Sequence, residues 1–205
     1  MIPLKTAIIK SKGKNAIPAA VNVLEEGGVI IYPSESSYGM GADATNGKAV
    51  ERIIKIKGRE NKPIPIIVSS IEMAKKYAVI DPLTKRLMKK FMPGRLTLVV
   101  KKKKPLPDIL SKNTIGFRLP PHEFSRLLLK ALGKPITATS ANRSGKLTLY
   151  KIKDVIRDFS GDVDLIIDAG NLPRRQPSTV YDVINKKIIR KGPVKEKEIM
   201  KCTKA

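Results

Sequence analysis

An uninterrupted apolar run, Val29 to Tyr32, lies between the pair Gly27-Gly28 and Pro33. Because neighbouring side chains of a strand point to opposite faces, a strand that is apolar throughout needs cover on both faces of its sheet. Comparable runs alternate along the chain with segments of helical spacing, a pattern that predicts an α/β fold. The expected strands are 4–9, 29–32, 38–43, 64–68, 96–100, 115–119, 135–141, 165–168, 179–184 and 187–190, and the expected helices are 17–24, 47–57, 71–78, 82–91, 123–132 and 152–159.

The last two expected strands, 179–184 and 187–190, are separated only by a short turn at Asn185. A connection this short can join antiparallel strands, whereas parallel strands need a long crossover. The sheet is therefore expected to mix parallel and antiparallel pairs. Residues beyond Gly192 are predicted to form a basic helix or a frayed tail.

Composition limits the class of protein. With 205 residues and 41% hydrophobic content, the chain is long and apolar enough for one globular domain over 1–205. Its one cysteine, Cys202, excludes a disulfide framework and a thiolate metal site. No apolar stretch reaches the roughly 18–20 residues of a membrane span, and residues 1–15 lack a signal-peptide pattern. We therefore expect a cytoplasmic protein without membrane contact.

The net charge is the most unusual compositional feature. The chain carries 41 Lys and Arg residues against 18 Asp and Glu residues, a formal charge of +23. A field of this sign attracts polyanions such as nucleic acids and nucleotides. Lysine-rich surfaces also occur in heat-adapted proteins, although these normally carry matching acids for ion-pair networks. Both alternatives stay open: direct contact with RNA, tRNA included, or a basic surface without a role in RNA binding.

Lys57 is the first residue that points to a specific site. It continues the apolar face of expected helix 47–57, because it lies four residues after Ile53. A lysine on a buried face needs an anionic partner, whereas one that snorkels outward or offsets the helix C-terminus needs none. Gly58 ends the helix and allows Arg59 to point in another direction.

Small and hydroxylated residues lie together between two expected strands. The hydroxyls of Ser34, Ser36 and Ser37 are suited to a carboxylate or a phosphate, although such serines also make an ordinary loop. Gly39 and Gly41 share one face of their strand, which leaves a strip without side chains. Such a strip indicates either close approach of a ligand or tight packing.

The segment from Thr137 to Gly145 is a second candidate wall. In an extended conformation Ala138, Ser140 and Asn142 would share one face, which is polar where a core strand would be apolar. A strand that ends in the Ser144-Gly145 turn would account for the same residues.

Two arginines lie at the ends of expected strands, where ligands of layered α/β proteins gather. Arg118 comes just before Leu119-Pro120, and Arg190 just before Lys191-Gly192. Ser178 lies where the strand at 179 begins. These three side chains are therefore candidates for an anion site.

Other polar residues predict little. His122 has no second histidine to complete a metal site or a catalytic triad, so no metal site is expected. The run Lys101 to Lys104 is typical of a solvated loop, with contact to tRNA as the alternative. The chain has no Walker lysine motif, no zinc-like Cys/His spacing and no dinucleotide fingerprint.

Together these segments resemble the YrdC/TsaC-type family of threonylcarbamoyl-AMP synthases. Pro33 to Met40 is similar to the family's Pro-Thr-Glu-Thr-x-Tyr-Gly-Leu segment, Lys57-Gly58-Arg59 to its Lys-x-Arg motif, and Ser140-Ala141-Asn142 to its Ser-x-Asn motif. The remaining signatures follow in the family's order: Pro93-Gly94, Arg118-Leu119-Pro120, Pro177-Ser178-Thr179 and Arg190-Lys191-Gly192. The resemblance covers about 15–192, which implies a single-domain short form with a basic C-terminal tail at about 193–205.

The resemblance implies a twisted mixed sheet flanked by helices around a deep basic cleft. It also implies a reaction in which L-threonine, bicarbonate or CO2, and ATP give threonylcarbamoyl-AMP and pyrophosphate. A tRNA threonylcarbamoyltransferase complex would then use the product to modify tRNA. The implied ATP site, with Mg²⁺ on the phosphates, is Lys57, Arg59, Ser140, Asn142 and Arg190. The implied threonine site is Ser34, Arg118, Ala138 and Ser178.

No residue is expected to act as a nucleophile, so catalysis would come from positioning and charge stabilisation by Lys57 and Arg59. The sequence departs from the family at Ser34 and Ser36, where threonine is common, and at Arg95, which replaces a frequent proline and adds a cation near the cleft. The lost methyl groups predict looser selectivity for threonine. Two alternatives are a non-catalytic RNA- or ribosome-binding member of the same fold, and carbamoyl transfer like the related domain of hydrogenase-maturation proteins.

Overall fold

The computed structural model describes residues 5–58 and 62–203. Within these ranges the strands form two mixed sheets, and seven α-helices pack around them. The predicted α/β class with parallel and antiparallel pairs is confirmed. The expectation of one sheet is wrong, because the strands divide between two.

Most elements lie within two residues of their expected bounds. The strands are β1 (Ala7–Lys10), β2 (Ile30–Pro33), β3 (Tyr38–Gly41), β4 (Ile66–Ile67), β5 (Leu96–Lys101), β6 (Thr114–Arg118), β7 (Ile136–Thr137), β8 (Thr139–Ser140), β9 (Leu165–Asp168), β10 (Thr179–Asp182) and β11 (Lys187–Arg190). The helices are α1 (Ala16–Glu25), α2 (Gly47–Lys57), α3 (Ile71–Tyr77), α4 (Pro82–Phe91), α5 (Glu123–Leu132), α6 (Ile152–Phe159) and α7 (Glu196–Thr203).

The first sheet has the strand order β1-β9-β2-β3-β8. Strand β9 pairs in parallel with β1 and β2, and β3 pairs antiparallel with β2 and β8. Every residue of β2 and β9 is buried. The apolar run at 29–32 therefore forms the doubly covered strand that its composition predicts.

The second sheet has the strand order β11-β10-β5-β6-β4-β7. Strands β10 and β11 form the expected antiparallel pair around Asn185, and β10 runs parallel to β5. Strand β6 is antiparallel to β5 and parallel to β4. This arrangement brings the ends of β6 and β11, where Arg118 and Arg190 lie, into the same sheet.

The prediction of one strand over 135–141 is wrong. Strand β7 pairs with β4 in the second sheet, whereas β8 pairs with β3 in the first. Between them the amide of Ala138 donates to the carbonyl of Pro65 at 2.7 Å. The chain therefore crosses from one sheet to the other at Ala138, and the side-chain alternation expected for a single strand does not continue through the crossing.

The C-terminal segment is a packed helix over most of its described length. Helix α7 contacts α4 and buries Ile199 and Cys202, while the Nε of Arg86 donates to the Cys202 carbonyl at 3.2 Å. The prediction of a frayed tail is wrong for 196–203, where the alternative of a helix is the correct one. Among the described helices, none is long and apolar enough to cross a bilayer.

The glycine strip of β3 is covered by the ring of Tyr32. An added Cβ on Gly39 or Gly41 would lie 2.9 Å from carbons of that ring. Tyr32 is 1% exposed, and its hydroxyl donates to the Thr137 carbonyl at 3.3 Å. Tight packing thus explains Gly41, whereas Gly39 also reaches the cavity described below.

Gly41→Ala should destabilise the fold by about 1–3 kcal/mol, because a methyl group 2.9 Å from a carbon of the buried Tyr32 ring forces the ring or the strand to shift. Gly47→Ala is the matched control, since its added Cβ would lie 3.8 Å from the nearest atom, the Cβ of Pro107. In the first turn of α2 the control should stabilise the protein by about 0.4–1 kcal/mol. Urea unfolding measures both changes, and equal midpoints for the two variants would contradict the packing argument.

Candidate active site

A cavity of about 560 Å³ opens between the two sheets, beside the crossing at Ala138. Strands β2, β3 and β8 of the first sheet and β5, β6, β10 and β11 of the second contribute to its wall. The structure brings together here several predicted site residues from distant parts of the sequence. Those that line the cavity are Ser34, Arg118, Ala138, Ser140, Ser178 and Arg190.

The Ser34 hydroxyl closes its own loop. The Ser34 Oγ donates to the Ser37 carbonyl at 2.7 Å. The amides of Ser36 and Ser37 in turn donate to the Ser34 Oγ, each at 3.4 Å. The loop is therefore held in a compact turn at the cavity wall. Since the hydroxyl donates its proton and accepts both amides within the turn, its contribution to the cavity is the shape of the wall.

Arg190 and Ser178 form one unit at the second wall. The Nε and Nη2 of Arg190 donate to the Ser178 carbonyl at 3.0 and 2.9 Å, and Nη2 also reaches the Ser178 Oγ at 3.1 Å. That hydroxyl lies 2.8 Å from the Oγ1 of Thr97. The partial burial of Arg190 and the nearby charge of Arg118 lower the pKa of the Arg190 guanidinium. The family resemblance implies different substrates for Arg190 and Ser178, and the structure places the two residues in direct contact.

Arg118 reaches the cavity from the end of β6, as its position before Leu119-Pro120 predicts. Its Nη2 lies 3.0 Å from the Oε1 of Glu35, and both side chains are largely buried. Glu35 belongs to the hydroxyl-rich loop but lies behind the wall formed by Arg118. The sequence analysis assigns Glu35 no role, although a single acid beside a candidate anion pocket is a signal for one.

The ammonium of Lys57 lies behind the wall and holds the Ser-x-Asn segment. It donates to the carbonyls of Ser140 and Asn142 at 2.5 and 2.7 Å, and it lies 3.4 Å from the Oδ1 of Asn142. Lys57 is 3% exposed, so the alternative in which it snorkels outward is wrong. Lys57 and the Ser-x-Asn motif thus belong to one hydrogen-bonded cluster.

Asn142 uses its side chain to fold the loop that follows. Its Oδ1 accepts from the Ser140 hydroxyl at 2.5 Å, and its Nδ2 donates to the carbonyls of Arg143 and Lys146 at 2.9 and 2.7 Å. The amide therefore shapes the cavity edge from within the loop. Arg59, the other cation of the Lys-x-Arg motif, lies outside the described residues.

Arg95 holds the loop before β10, on the opposite side of the cavity. Its Nη2 donates to the Gln176 carbonyl, and its own carbonyl accepts from the Thr179 amide at 2.9 Å. The guanidinium therefore braces the segment that carries Arg175 and Ser178 into the wall. This contact gives the departure from the family's proline a structural reason.

The cavity carries three arginines and one aspartate in its wall: Arg118, Arg175, Arg190 and Asp182. The Asp182 carboxylate accepts from the amides of Ile184 and Asn185 at 3.0 Å and from the Asn185 side chain at 2.7 Å. Arg175 follows Arg174, which lies 5.5 Å over the ring of Tyr150, another wall residue. The deep basic cleft that the sequence predicts stays a prediction for this cavity.

The comparisons with known proteins cover almost the whole chain. A family model for Sua5, YciO and YrdC proteins, described as telomere recombination, matches residues 22–192. A Methanocaldococcus jannaschii protein, provisionally named a threonylcarbamoyl-AMP synthase, is 35% identical over 208 residues, which is 97% of this chain and 99% of that protein. The threonylcarbamoyl-AMP synthase of Pyrococcus abyssi is 36% identical over 171 residues, so the match spans 82% of this chain and half of that protein.

Solved structures are similar over the same extent. The crystal structure of P. abyssi Sua5 complexed with L-threonine has a TM-score of 0.88 and 33% identity, covering 96% of this chain and 60% of that one. The crystal structure of Escherichia coli YciO has a TM-score of 0.82 and 30% identity, covering 96% and 99%. The two-sheet architecture around the cavity is therefore a shared fold.

Lys57→Met should destabilise the protein by about 1.5–3 kcal/mol, because buried carbonyls of the Ser140–Asn142 segment lose a charged donor. The Ser144 amide, which donates to the Lys57 carbonyl at 2.7 Å, should then exchange its hydrogen faster. Lys55→Met, on the exposed side of the same helix, is the control and should stay within about 0.5 kcal/mol of wild type. Urea unfolding and hydrogen exchange measure these effects. A Lys57→Met variant as stable as the control would exclude the bracing role.

Proposed function

This chain belongs to the Sua5/YciO/YrdC family, and we propose that it is an L-threonylcarbamoyladenylate synthase, a nucleotidyltransferase. The observation that carries the proposal is the convergence of Arg118, Ser178, Arg190 and Ser140 on one cavity. A cavity of about 560 Å³ lies within the range of small-molecule sites, about 300–1,000 Å³. The cavity therefore offers an arginine to an amino-acid carboxylate and another to a nucleotide phosphate.

The threonine side is formed by Arg118 with Ser34, Ala138 and Ser178. A guanidinium matches a carboxylate with two parallel hydrogen bonds, which fixes the orientation of the amino acid as well as its charge. The compact turn at Ser34 and the crossing at Ala138 supply small walls near that fork.

The ATP side is formed by Arg190, Ser140 and Asn142, with Lys57 and Arg59. Lys57 acts through the Ser140–Asn142 segment, whose carbonyls its ammonium holds. Its own contact with phosphate stays a prediction, as does that of Arg59. Ser140 contributes a neutral hydroxyl at the wall, and Arg190 contributes charge.

The reaction needs no protein nucleophile. The neutral amine of threonine adds to CO2 and releases one proton, which leaves a carbamate. A carbamate oxygen then attacks the α-phosphorus of ATP as the bond to the β-phosphate oxygen breaks, and pyrophosphate departs. The chain's contribution is to orient the two substrates and to stabilise charge that moves toward pyrophosphate.

Magnesium fits this scheme as part of the substrate MgATP. Across 5–58 and 62–203, no group of three or more His, Cys, Asp or Glu side chains is placed to hold a metal ion. The cavity's Asp182 already accepts three hydrogen bonds. We propose that Mg²⁺ is bound by the phosphates of ATP, where it would neutralise charge on the leaving group.

Competing proposals fit the site less well. A non-catalytic RNA- or ribosome-binding protein of this fold would not need an arginine fork, small walls and a braced Ser-x-Asn segment around one enclosed space. We favour the synthase over carbamoyl transfer of the hydrogenase-maturation type because relatives named threonylcarbamoyl-AMP synthase are 35% and 36% identical to this chain. The threonylcarbamoyl-AMP would pass to a tRNA threonylcarbamoyltransferase complex, for which a cytoplasmic location is the natural one.

The activity is tested by incubating the protein with ATP, bicarbonate and single amino acids while pyrophosphate is measured. Release should require both threonine and bicarbonate, and serine should be used measurably because Ser34 and Ser36 lack the methyl groups of threonine. Arg190→Gln should lower kcat/KM by at least about tenfold, close to 1.4 kcal/mol. Arg157→Gln, on the exposed face of α6, should leave it unchanged. Release that is independent of threonine would refute the synthase proposal.

Direct RNA contact is a second, separate proposal that rests on an external groove. The lysine groove, formed by Lys101, Lys102, Lys103, Lys104 and Lys112, surrounds a space of about 660 Å³ and shares Thr114 with the cavity. Lys102 is 5% exposed and is ion-paired with Asp108, which fixes the loop that carries the others. The remaining lysines give a concave positive surface suited to a phosphate backbone.

Binding of single-stranded RNA should weaken steeply as salt rises if the lysine groove is used. Changing Lys101, Lys103, Lys104 and Lys112 to Gln should reduce the slope of log K against log salt by about 0.7 for each lysine that contacts phosphate. Changing Lys48, Lys55, Lys85 and Lys89 to Gln removes the same charge from exposed helix positions and is the matched control. Fluorescence anisotropy measures both. Equal slopes for the two variants would show that only net charge matters.

A further inference from the structure

Glu35 is a buried carboxylate with an unusual environment. Its side chain is 6% exposed, and its charge lies 3.0 Å from the Nη2 of Arg118. Among the described residues, neither carboxylate oxygen has a well-aligned hydrogen bond, and the Nε of Arg118 lacks one as well. Burying a carboxylate is costly unless an opposite charge compensates it. Glu35 therefore depends on Arg118 electrostatically, without the hydrogen bonds of a purely structural ion pair.

Arg118 and Arg190, which both line the cavity, differ in how they are compensated. Arg118 is close enough to Arg190 to lower the pKa of the Arg190 guanidinium. Arg190 donates to the carbonyl and hydroxyl of Ser178, which are neutral acceptors. Arg118 has Glu35 directly behind it. One arginine of the pair is thus largely neutralised, while the other keeps its full charge toward the cavity.

This difference matters because the two substrates of the proposed synthase differ in charge. The amino acid has one carboxylate, whereas ATP has about four negative charges. Coulomb attraction grows with the charge of the ligand, so two uncompensated arginines would both draw the triphosphate. Compensation of one arginine reduces its attraction for a polyanion most, while its donor fork still fits a single carboxylate.

We propose that Glu35 reserves Arg118 for the amino-acid carboxylate, by neutralising the guanidinium from behind the cavity wall so that the polyphosphate is confined to the Arg190 side. Glu35 is a positioning residue, since it acts through Arg118. The inference rests on the proposed function for the identity of the two substrates. The inference explains why threonine and ATP would bind in separate halves of the cavity, although each half contains an arginine.

The test measures the KM for threonine at a series of MgATP concentrations. In the wild type this KM should not rise with ATP. In Glu35→Gln, which keeps the shape of the side chain and removes its charge, ATP should compete with threonine and raise its KM by about tenfold at the highest ATP concentration. Glu35→Asp keeps the charge and should behave as the wild type does. Arg118→Gln combined with Glu35→Gln should abolish the competition, because the contested guanidinium is gone.

Glu123→Gln is the matched control. Glu123 is exposed at the start of α5, and like Glu35 its charge is felt by the half-buried His122. Removing this neighbouring charge should not create competition by ATP. A threonine KM that rises equally at every ATP concentration in Glu35→Gln would show a merely structural role and would overturn the proposal, as would a KM that does not change.

Calorimetry separates this inference from the proposed function. Without any turnover, Glu35→Gln should bind MgATP several-fold tighter than the wild type does. This gain in affinity should disappear when Arg118→Gln is added to Glu35→Gln. If the wild type released no pyrophosphate but this pattern held, only the synthase assignment would fail. Should Glu35→Gln not fold, the wild type still decides the matter: inorganic tripolyphosphate must not displace threonine from it, and displacement would overturn the proposal.

Discussion

The ammonium of Lys57 is the contact on which the cavity depends. The chain changes sheets at Ala138, and the short strand β8 that follows leads directly into the loop at Asn142. Lys57 satisfies the carbonyls of Ser140 and Asn142 from the end of α2, at a position whose side chain is otherwise part of the apolar face. A charged donor is worth more to buried carbonyls than a neutral one. The same contact therefore holds the end of β8 and the loop that follows it, and sets the edge of the site.

The sequence predicts the individual elements well because their signals are local. The apolar run at 29–32, the spacing of helix 47–57 and the turn at Asn185 each depend on residues a few positions apart. The failure at 135–141 is of another kind. A run of small and β-branched residues predicts extended backbone, and the backbone is extended, but pairing partners decide which sheet each half joins. Those partners, β3 and β4, lie far away in the chain.

The sequence predicts which residues share the cavity better than it predicts which of them contact one another. Strand ends and small residues identified Arg118, Arg190 and Ser178, which share the cavity. No local signal tells that Arg190 bonds to Ser178, or that Glu35 lies behind Arg118. Both contacts form between elements brought together by the sheets. The roles of Lys57 and Arg59 toward phosphate stay predictions, and Arg59 lies outside the described residues.

The choice of cation differs between the two basic surfaces. The cavity draws on Arg118, Arg175 and Arg190, whereas the lysine groove is formed by lysines. Arginine has a rigid planar fork that selects geometry, while lysine is a strongly hydrated point charge on a flexible stem. The proposed synthase, which would hold two different anions in fixed positions, gains from the first kind of donor. The proposed RNA contact, which would take a phosphate chain in any register, needs only the second. The net charge alone therefore does not describe this protein. What distinguishes its two basic surfaces is that the cavity carries arginine and the groove carries lysine.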